Sequence, residues 1–220
     1  MSQPEAITRR PLKSRDTKLA AAVAARLARA RVHPNTISVA GAGFAAVAGV
    51  CFYLAGRTPT DWRFSLLLLL GVAGMQSRLL CNLFDGMVAI EGGMKTKAGE
   101  LFNELPDRFS DAFIFIGAAY ATPGLHGSRE LGWAAAVFAV ITAYVRALGA
   151  SMGAGQQFTG PMAKQQRMAL MTAACLIAAC APLWPQLTWA VPLALTGVVL
   201  GCLITIFRRC RLIARAMEAK

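Results

Sequence analysis

The sequence predicts an all-α polytopic membrane protein with six transmembrane helices and an amphipathic N-terminal helix at the membrane interface. Hydrophobic residues make up 56% of the 220 residues, and the mean hydropathy is +0.49. Apolar runs long enough to cross a bilayer recur along the chain. The net charge of +12 comes from Lys and Arg that flank those runs. Flanking basic residues of this kind orient transmembrane helices, whereas a nucleic-acid-binding protein would carry them on a soluble basic surface. We therefore expect membrane lipid, and no nucleic acid, as a partner.

The N-terminal segment, residues 1–33, is basic and contains a predicted helix over residues 16–31. Leu19, Val23 and Leu27 recur at helical spacing, and basic residues occupy the polar part of the helix. Such a helix can lie in the membrane interface, where its basic side chains are attracted to anionic lipid. An ordinary solvated helix is the alternative, because the apolar stripe consists largely of alanine.

Six apolar segments follow the N-terminal segment. Pro34 and Asn35 end the first helix, and Thr36 or Ser38 is expected to cap the next one. The predicted membrane domain is residues 34–208, with spans at residues 37–55, 64–90, 100–120, 131–152, 168–183 and 187–207. Gly and Ala are frequent in the first span, which permits close helix approach.

Lys and Arg are concentrated on one side of the predicted membrane domain. They occupy the N-terminal segment, the connections after the second and fourth spans, and a basic tail of residues 209–220. The opposite loops contain only Arg57, Arg63 and Arg129. By the positive-inside rule, both termini face the cytoplasm. We therefore expect a multi-pass protein of the cytoplasmic membrane.

The stretch from Arg78 to Asp111 places polar side chains in an otherwise lipid-soluble chain. At about 100° per residue, they fall on one face of each of two helices. They are Arg78, Asn82 and Asp85 in the second span and Glu100, Asn103, Glu104, Asp107 and Asp111 in the third. Ionisable groups in a membrane are costly and normally face a bundle interior. Two antiparallel helices are thus expected to hold Mg²⁺ or Mn²⁺ between their polar faces. Simple hydration at the interface is the alternative, and it does not explain the sorting onto one face.

The spacing of these residues resembles the signature of the CDP-alcohol phosphatidyltransferase family, D-x2-D-G-x2-A-R-x8-G-x3-D-x3-D. Five of the eight defining letters match, and every spacing is kept. The chain reads Asn82, Asp85, Gly86, Ala89, Ile90, Gly99, Asn103 and Asp107 at the defined positions. The two asparagines are similar to those of a divergent bacterial branch of the family.

The resemblance implies a role for each matching position. Asp85 and Asp107 are expected to coordinate the cation, and Asp107 is expected to be the general base. The further metal ligands are expected to be Asn82, Asn103 and Asp111. Because an amide oxygen binds a cation without contributing charge, the site should hold divalent ions more weakly, with a single ion as one outcome.

The family's nucleotide and phosphate positions fall elsewhere in the chain. They correspond to Asn35, Gly86, Ala89, Gly99, Arg146, Lys164 and Arg167. For Arg146, snorkelling to lipid headgroups is an equally weighted alternative. For Gly86 and Ala89, the alternative is close helix packing.

The implied activity is transfer of a phosphatidyl group from CDP-diacylglycerol to an alcohol, with release of CMP, in phospholipid biosynthesis. The resemblance further implies a homodimer in a bacterial inner membrane. In the mirrored family reaction, CDP carries the small alcohol and diacylglycerol accepts it. The sequence leaves the acceptor open among glycerol phosphate, inositol phosphate, serine and other polyols.

Two other functions are compatible with the sequence. The replacement of family residues by Asn82, Asn103 and Ile90 is also expected of a catalytically silent membrane scaffold with the same fold. Intramembrane acids also mark ion pathways, so an ion-coupled transporter is the third hypothesis. A transporter predicts acids near mid-membrane and an inverted internal repeat, and the sequence shows neither.

Overall fold

The structure is a computed structural model that describes residues 17–94, 96, 98–122 and 127–219. These residues form seven α-helices and one 3₁₀ helix, with no strand in the described ranges, so the predicted all-α class is confirmed. The helices are α1 (Lys18–Arg29), α2 (Pro34–Ala55), α3 (Trp62–Glu91), α4 (Gly99–Tyr120), α5 (Ser128–Ser151), α6 (Lys164–Ala178) and α7 (Ala190–Glu218), and the 3₁₀ helix is Pro185–Trp189. The predicted start of the first helix at residue 16 lies outside the described residues.

Four helical segments are long and apolar enough to cross a membrane. They are Pro34–Ala55, Trp62–Glu91, Ser128–Ser151 and Pro185–Glu218. Helix α4 has a polar first half, and α6 has 15 residues, or about 22 Å of helix against a hydrocarbon core of about 30 Å. The predicted number of six spans therefore stays a prediction.

All four tryptophans lie at one end of the bundle. Trp62 begins α3, Trp133 lies in the first turns of α5, and Trp184 and Trp189 directly precede α7. Each is more than half exposed. This end is opposite to the polar side chains of α3 and α4, which lie in the last turns of α3 and the first turns of α4. Exposed tryptophans at such a level are typical of an aromatic belt at a membrane surface.

The helices form a closed ring around an apolar core. Helix α2 packs against α3 and α4, α4 against α5, α5 against α7, α7 against α6, and α6 against α3. The largest fully buried apolar side chains are Phe52, Phe64, Phe115, Leu68, Met75, Ile114, Met168, Met171 and Leu195. Helices α3 and α4 both pack mainly against α2 rather than against each other. The backbones of α3 and α4 are therefore apart at their polar faces, and side-chain contacts such as Arg78 with Asp107 connect the two helices.

Two glycines let α2 and α4 approach each other closely. A Cβ atom on Gly49 would lie 2.5 Å from the carbonyl oxygen of Phe113, and one on Gly117 would lie 2.4 Å from the carbonyl oxygen of Gly49. Backbone contact of this kind is how small residues bring membrane helices together.

Helix α1 buries a stripe that only partly overlaps the one predicted, since Leu27 is partly buried but Leu19 is not. Ala20 and Ala24 are buried against a small cluster that includes Met87 and Val88 of α3, whereas Leu19 is 77% exposed. The small alanines let α1 lie close to the end of α3, which the larger side chain of Leu19 would prevent. The interfacial position of α1 stays a prediction.

Two further boundaries differ from those predicted. The N-cap of α2 is His33, whose Nδ1 accepts a hydrogen bond from the backbone N–H of Asn35 at 3.3 Å, so neither Thr36 nor Ser38 caps the helix. At the other end of the chain, α7 continues to Glu218, so the predicted basic tail is helical over residues 209–218.

The α2–α4 contact generates a prediction about stability. Gly49→Ala should lower the thermal midpoint by several degrees, because overpacking a close contact costs about 1–3 kcal/mol. Gly43→Ala is the matched control on the same helix, since no atom lies within 4 Å of a Cβ added there. Thermal unfolding of the detergent-purified variants measures the difference. Equal midpoints for the two variants would contradict the close α2–α4 approach.

Candidate functional site

Four of the five predicted metal ligands line one small cavity. Asn82 and Asp85 reach it from α3, and Asn103 and Asp107 reach it from α4. Its volume is about 10 Å³, which is about the space one water molecule occupies. Within the described ranges, no group of three or more His, Cys, Asp or Glu side chains is placed to hold a metal ion. The predicted ligands at this cavity are therefore two carboxylates and two amides.

Asp85 is held by a residue of α2. The hydroxyl of Ser38 donates a hydrogen bond to Asp85 Oδ2 at 2.6 Å, and Asp85 is 5% exposed. Ser38 also lines the small cavity. The sequence placed Ser38 at a helix start, whereas its position one turn inside α2 makes it a positioning residue for the carboxylate.

Asp107 accepts hydrogen bonds on both oxygens. Its Oδ1 accepts from Arg78 Nη2 at 3.1 Å and from Asn82 Nδ2 at 3.4 Å, and its Oδ2 pairs with Lys164 Nζ. The amide nitrogen of Asn82 also donates to Asn103 Oδ1 at 3.1 Å. Groups from α3 and α6 thus hold this α4 carboxylate beside the small cavity.

Asp111 has a different environment from Asp85 and Asp107. It is 1% exposed, with Oδ1 at 3.3 Å from Arg78 Nη2 and Oδ2 at 2.7 Å from Arg167 Nη2. It lines neither cavity described here. The structure therefore does not bring Asp111 to the predicted metal ligands, because two arginines already engage its oxygens.

Arg78 joins these acids into one network. This α3 side chain is 1% exposed and contacts both Asp107 and Asp111, which lie one turn apart on α4. Lys164 and Arg167, at the start of α6, pair with the same two acids. Alternating charges offset the cost of burying ionised groups, and removing one partner would leave an uncompensated charge. The network therefore cross-links α3, α4 and α6.

A larger cavity adjoins the small one and shares Asn82, Asn103 and Asp107 with it. Its volume of about 770 Å³ is in the range of small-molecule sites. The basic side chains that line it come from four helices and are Arg108, Arg146, Lys164, Arg167 and Arg209. Glu104 and Asp107 are its acidic lining residues, so positive charge predominates.

Arg146 points into the large cavity. Its guanidinium lies 2.6 Å from Glu104 Oε1 and 3.1 Å from Gln156 Oε1, and it sits over the ring of Phe158 at 5.7 Å. The neighbouring Tyr144 is 62% exposed on the outside of the bundle. These contacts favour the cavity interpretation of Arg146 over snorkelling to lipid headgroups.

Four predicted nucleotide positions lie outside both cavities. Gly86 and Ala89 are half-buried on α3, and Asn35 is half-buried in the first turn of α2. At Gly99, which begins α4, an added Cβ would meet only Thr96 Oγ1, at 3.3 Å. All four lie near the same end of the bundle as the small cavity. Their contact with a nucleotide stays a prediction.

Several site residues were not identified from the sequence. Arg209 is 4% exposed and donates to the carbonyl oxygens of Thr142 at 2.7 Å and Thr159 at 3.0 Å, although its position was assigned to the tail. Arg78 was placed on the predicted polar face, one turn before Asn82, but its role as the ion-pair partner of two acids was not predicted. For Ser38 no sequence signal exists, because its partner lies 47 residues away.

Comparisons with known proteins agree with this architecture. No protein-family model matches the chain. It is 28% identical over 204 residues to a phosphatidylinositol phosphate synthase of Cutibacterium acnes, covering 90% of this chain and 93% of that protein. It is also 28% identical over 191 residues to an uncharacterized protein of Aquifex aeolicus, covering 86% of each.

Solved structures of Mycobacterium tuberculosis phosphatidylinositol phosphate synthase (PgsA1) share the fold. The structure with CDP-DAG bound matches with a TM-score of 0.73 at 18% identity, covering 90% of this chain and 94% of that one. The structure in complex with manganese and citrate matches with a TM-score of 0.71 at 17% identity, covering 88% of each chain. The fold of these structures and the sequence similarity to the C. acnes protein agree with the resemblance of the motif spacing to the CDP-alcohol phosphatidyltransferase family.

Proposed function

We propose that the protein is a membrane enzyme of phospholipid biosynthesis that transfers a phosphatidyl group from CDP-diacylglycerol to an alcohol, with release of CMP. The observation that carries the proposal is the meeting of Asp85 and Asp107 with two asparagine amides at a small cavity that adjoins a large basic one. The name of the C. acnes relative and the CDP-DAG bound to the M. tuberculosis protein support it.

The small cavity fits a divalent cation, Mg²⁺ or Mn²⁺. Such ions prefer oxygen ligands, which the carboxylates of Asp85 and Asp107 and the side-chain oxygens of Asn82 and Asn103 supply. When bound, the cation supplies positive charge that neutralises a pyrophosphate and favours attack on its phosphorus. The manganese complex of the M. tuberculosis protein supports this assignment.

Lys164 links phosphate binding to the general base. It pairs with Asp107 Oδ2 while lining the large cavity, so the phosphates of an entering nucleotide compete with Asp107 for its ammonium group. When Lys164 turns to a phosphate oxygen, Oδ2 becomes available to accept a proton. Arg78 and Asn82 keep Oδ1 in place meanwhile.

The transfer is a displacement at the phosphorus that carries diacylglycerol. The acceptor hydroxyl oxygen forms a bond to this phosphorus, its proton passes to Asp107 Oδ2, and the bond from phosphorus to the bridging oxygen breaks. CMP leaves with the electron pair of that bond. Enclosure in the cavity orients the two reactants, which is where much of the acceleration of such reactions originates.

The acceptor in this proposal is a phosphorylated polyol such as inositol phosphate. Five basic side chains line the large cavity, against two acids. Arg146 already binds the carboxylate of Glu104 at 2.6 Å, which shows a geometry suited to an anionic group. A phosphorylated acceptor would bring negative charge to a cavity whose lining has more basic than acidic side chains. The name of the C. acnes relative is consistent with a phosphorylated acceptor.

The proposed placement is the bacterial inner membrane, with both termini and the site on the cytoplasmic side. The basic residues of α1 and the last turns of α7 lie at the same end as the cavities, and the tryptophans lie at the other end. This distribution follows the positive-inside rule. The homodimer implied by the resemblance stays a prediction.

The activity is tested by measuring CMP release from CDP-diacylglycerol with Mn²⁺ and a panel of alcohols. We expect release with at least one acceptor and a loss of about 10²-fold or more in Asp107→Asn, which removes the base. Glu130→Gln, an exposed change at the opposite end, is the control and should retain activity. No release with any acceptor, in the wild type as in Asp107→Asn, would favour the silent scaffold.

The nature of the acceptor is tested with Arg146→Gln. The KM for inositol phosphate should rise about 10- to 100-fold, since a hydrogen bond to a charged group contributes about 1.5–3 kcal/mol. The KM for CDP-diacylglycerol should stay close to that of the wild type. Arg129→Gln is the control, because Arg129 lies at the other end, over the ring of Tyr120. An equal preference for inositol and inositol phosphate in the wild type would contradict the proposal.

A further inference from the structure

The small cavity is close to charge balance before any cation binds. Its carboxylates are Asp85 and Asp107. Arg78 lines the same cavity and contacts Asp107 at 3.1 Å, and Lys164 pairs with the other oxygen of Asp107. Two negative charges therefore face two positive charges, and Arg108 adds a third positive charge at 3.9 Å from Asp107 Oδ2. The remaining nearby acid, Asp111, is compensated by Arg167 and by its share of Arg78.

Arg78 cannot easily leave this cavity. It is 1% exposed and is the largest of the fully buried side chains in the described residues. Its Nη2 serves both acids of α4, while Nε and Nη1 are buried without a hydrogen-bond partner. The guanidinium is always protonated, so its charge is a permanent part of the site. Like charges repel strongly at short range, and a second metal ion would have to share the cavity with this cation.

Asn82 and Asn103 reduce the available negative charge further. Both line the cavity and supply neutral oxygens, and they are engaged with each other at 3.1 Å. The cavity volume of about 10 Å³ corresponds to about one water molecule. The small number of anionic ligands thus limits how many ions the site can take.

We infer that this site binds one divalent cation per chain, and that the cation binds together with a nucleoside diphosphate, with Arg78 as the fixed positive charge beside it. The inference deepens the proposed function and rests on it. Arg78 and Lys164 already neutralise much of the negative charge of the carboxylates. The phosphates of the nucleotide therefore supply the additional negative charge that the cation needs. By linkage, the diphosphate must raise the affinity for the cation by the same factor as the cation raises the affinity for the diphosphate.

Equilibrium dialysis of the full chain in detergent tests this inference. The probes are Mn²⁺ and radiolabelled CDP, with CDP at equal concentration on both sides, so that Mn²⁺ and CDP bound to the protein are both counted. We expect one Mn²⁺ per chain in the presence of CDP, and an affinity about tenfold or more weaker without CDP. Two Mn²⁺ per chain, or equal affinity with and without CDP, would overturn the inference.

A charge-restoring variant gives an independent readout. Asn82→Asp combined with Asn103→Asp should raise the affinity for Mn²⁺ without CDP about tenfold or more, because it adds two anionic ligands at the cavity. Gln166→Glu is the control, since this exposed residue of α6 lines neither cavity. No gain in the double variant would count against the charge argument. If neither Mn²⁺ nor CDP binds, the proposed function fails too, whereas two Mn²⁺ with bound CDP overturns only the single-ion inference.

Discussion

A buried network of alternating charges is the constraint on which this structure depends. Arg78 of α3 lies between Asp107 and Asp111 of α4, and Lys164 and Arg167 of α6 close the network from the other side. Because Arg78, Asp111 and Arg167 are buried, none of these three can lose its partners without leaving an ionised group away from solvent. The three helices are therefore fixed in rotation as well as in distance. This rotation turns the polar faces of α3 and α4 towards each other.

The same network explains why the site can be both stable and reactive. Lys164, which pairs with Asp107 in the folded protein, also lines the large cavity, so the binding of a phosphate would exchange one ion pair of Lys164 for another. Lys164 is suited to this exchange because it lines the large cavity and has a flexible side chain. Arg78 has no such freedom. Lys164 is thus suited to bind a phosphate, while Arg78 continues to hold the two acids of α4 in place.

The sequence allowed the fold class, the helix order and the two polar faces to be predicted, because helical periodicity and spacing are local properties. It did not reveal which charges would pair. Asp111 follows the same period as Asp107, yet arginines from two other helices bind it. Ser38 contacts Asp85 across 47 residues. Packing also decided that Ala20 rather than Leu19 of α1 is buried, since a close contact favours the smaller side chain. These contacts depend on which helices lie next to each other, and helical periodicity does not specify the neighbouring helix.

The central claim is that the facing polar surfaces of α3 and α4 converge on a divalent cation. The most direct measurement is anomalous X-ray scattering from crystals grown with Mn²⁺ and CDP. The account predicts a single manganese peak between Asp85 and Asp107, within coordination distance of both carboxylates and adjacent to the phosphates. A peak elsewhere in the bundle would contradict it, as would carboxylates that remain bound to Ser38 and Lys164 with no metal between them.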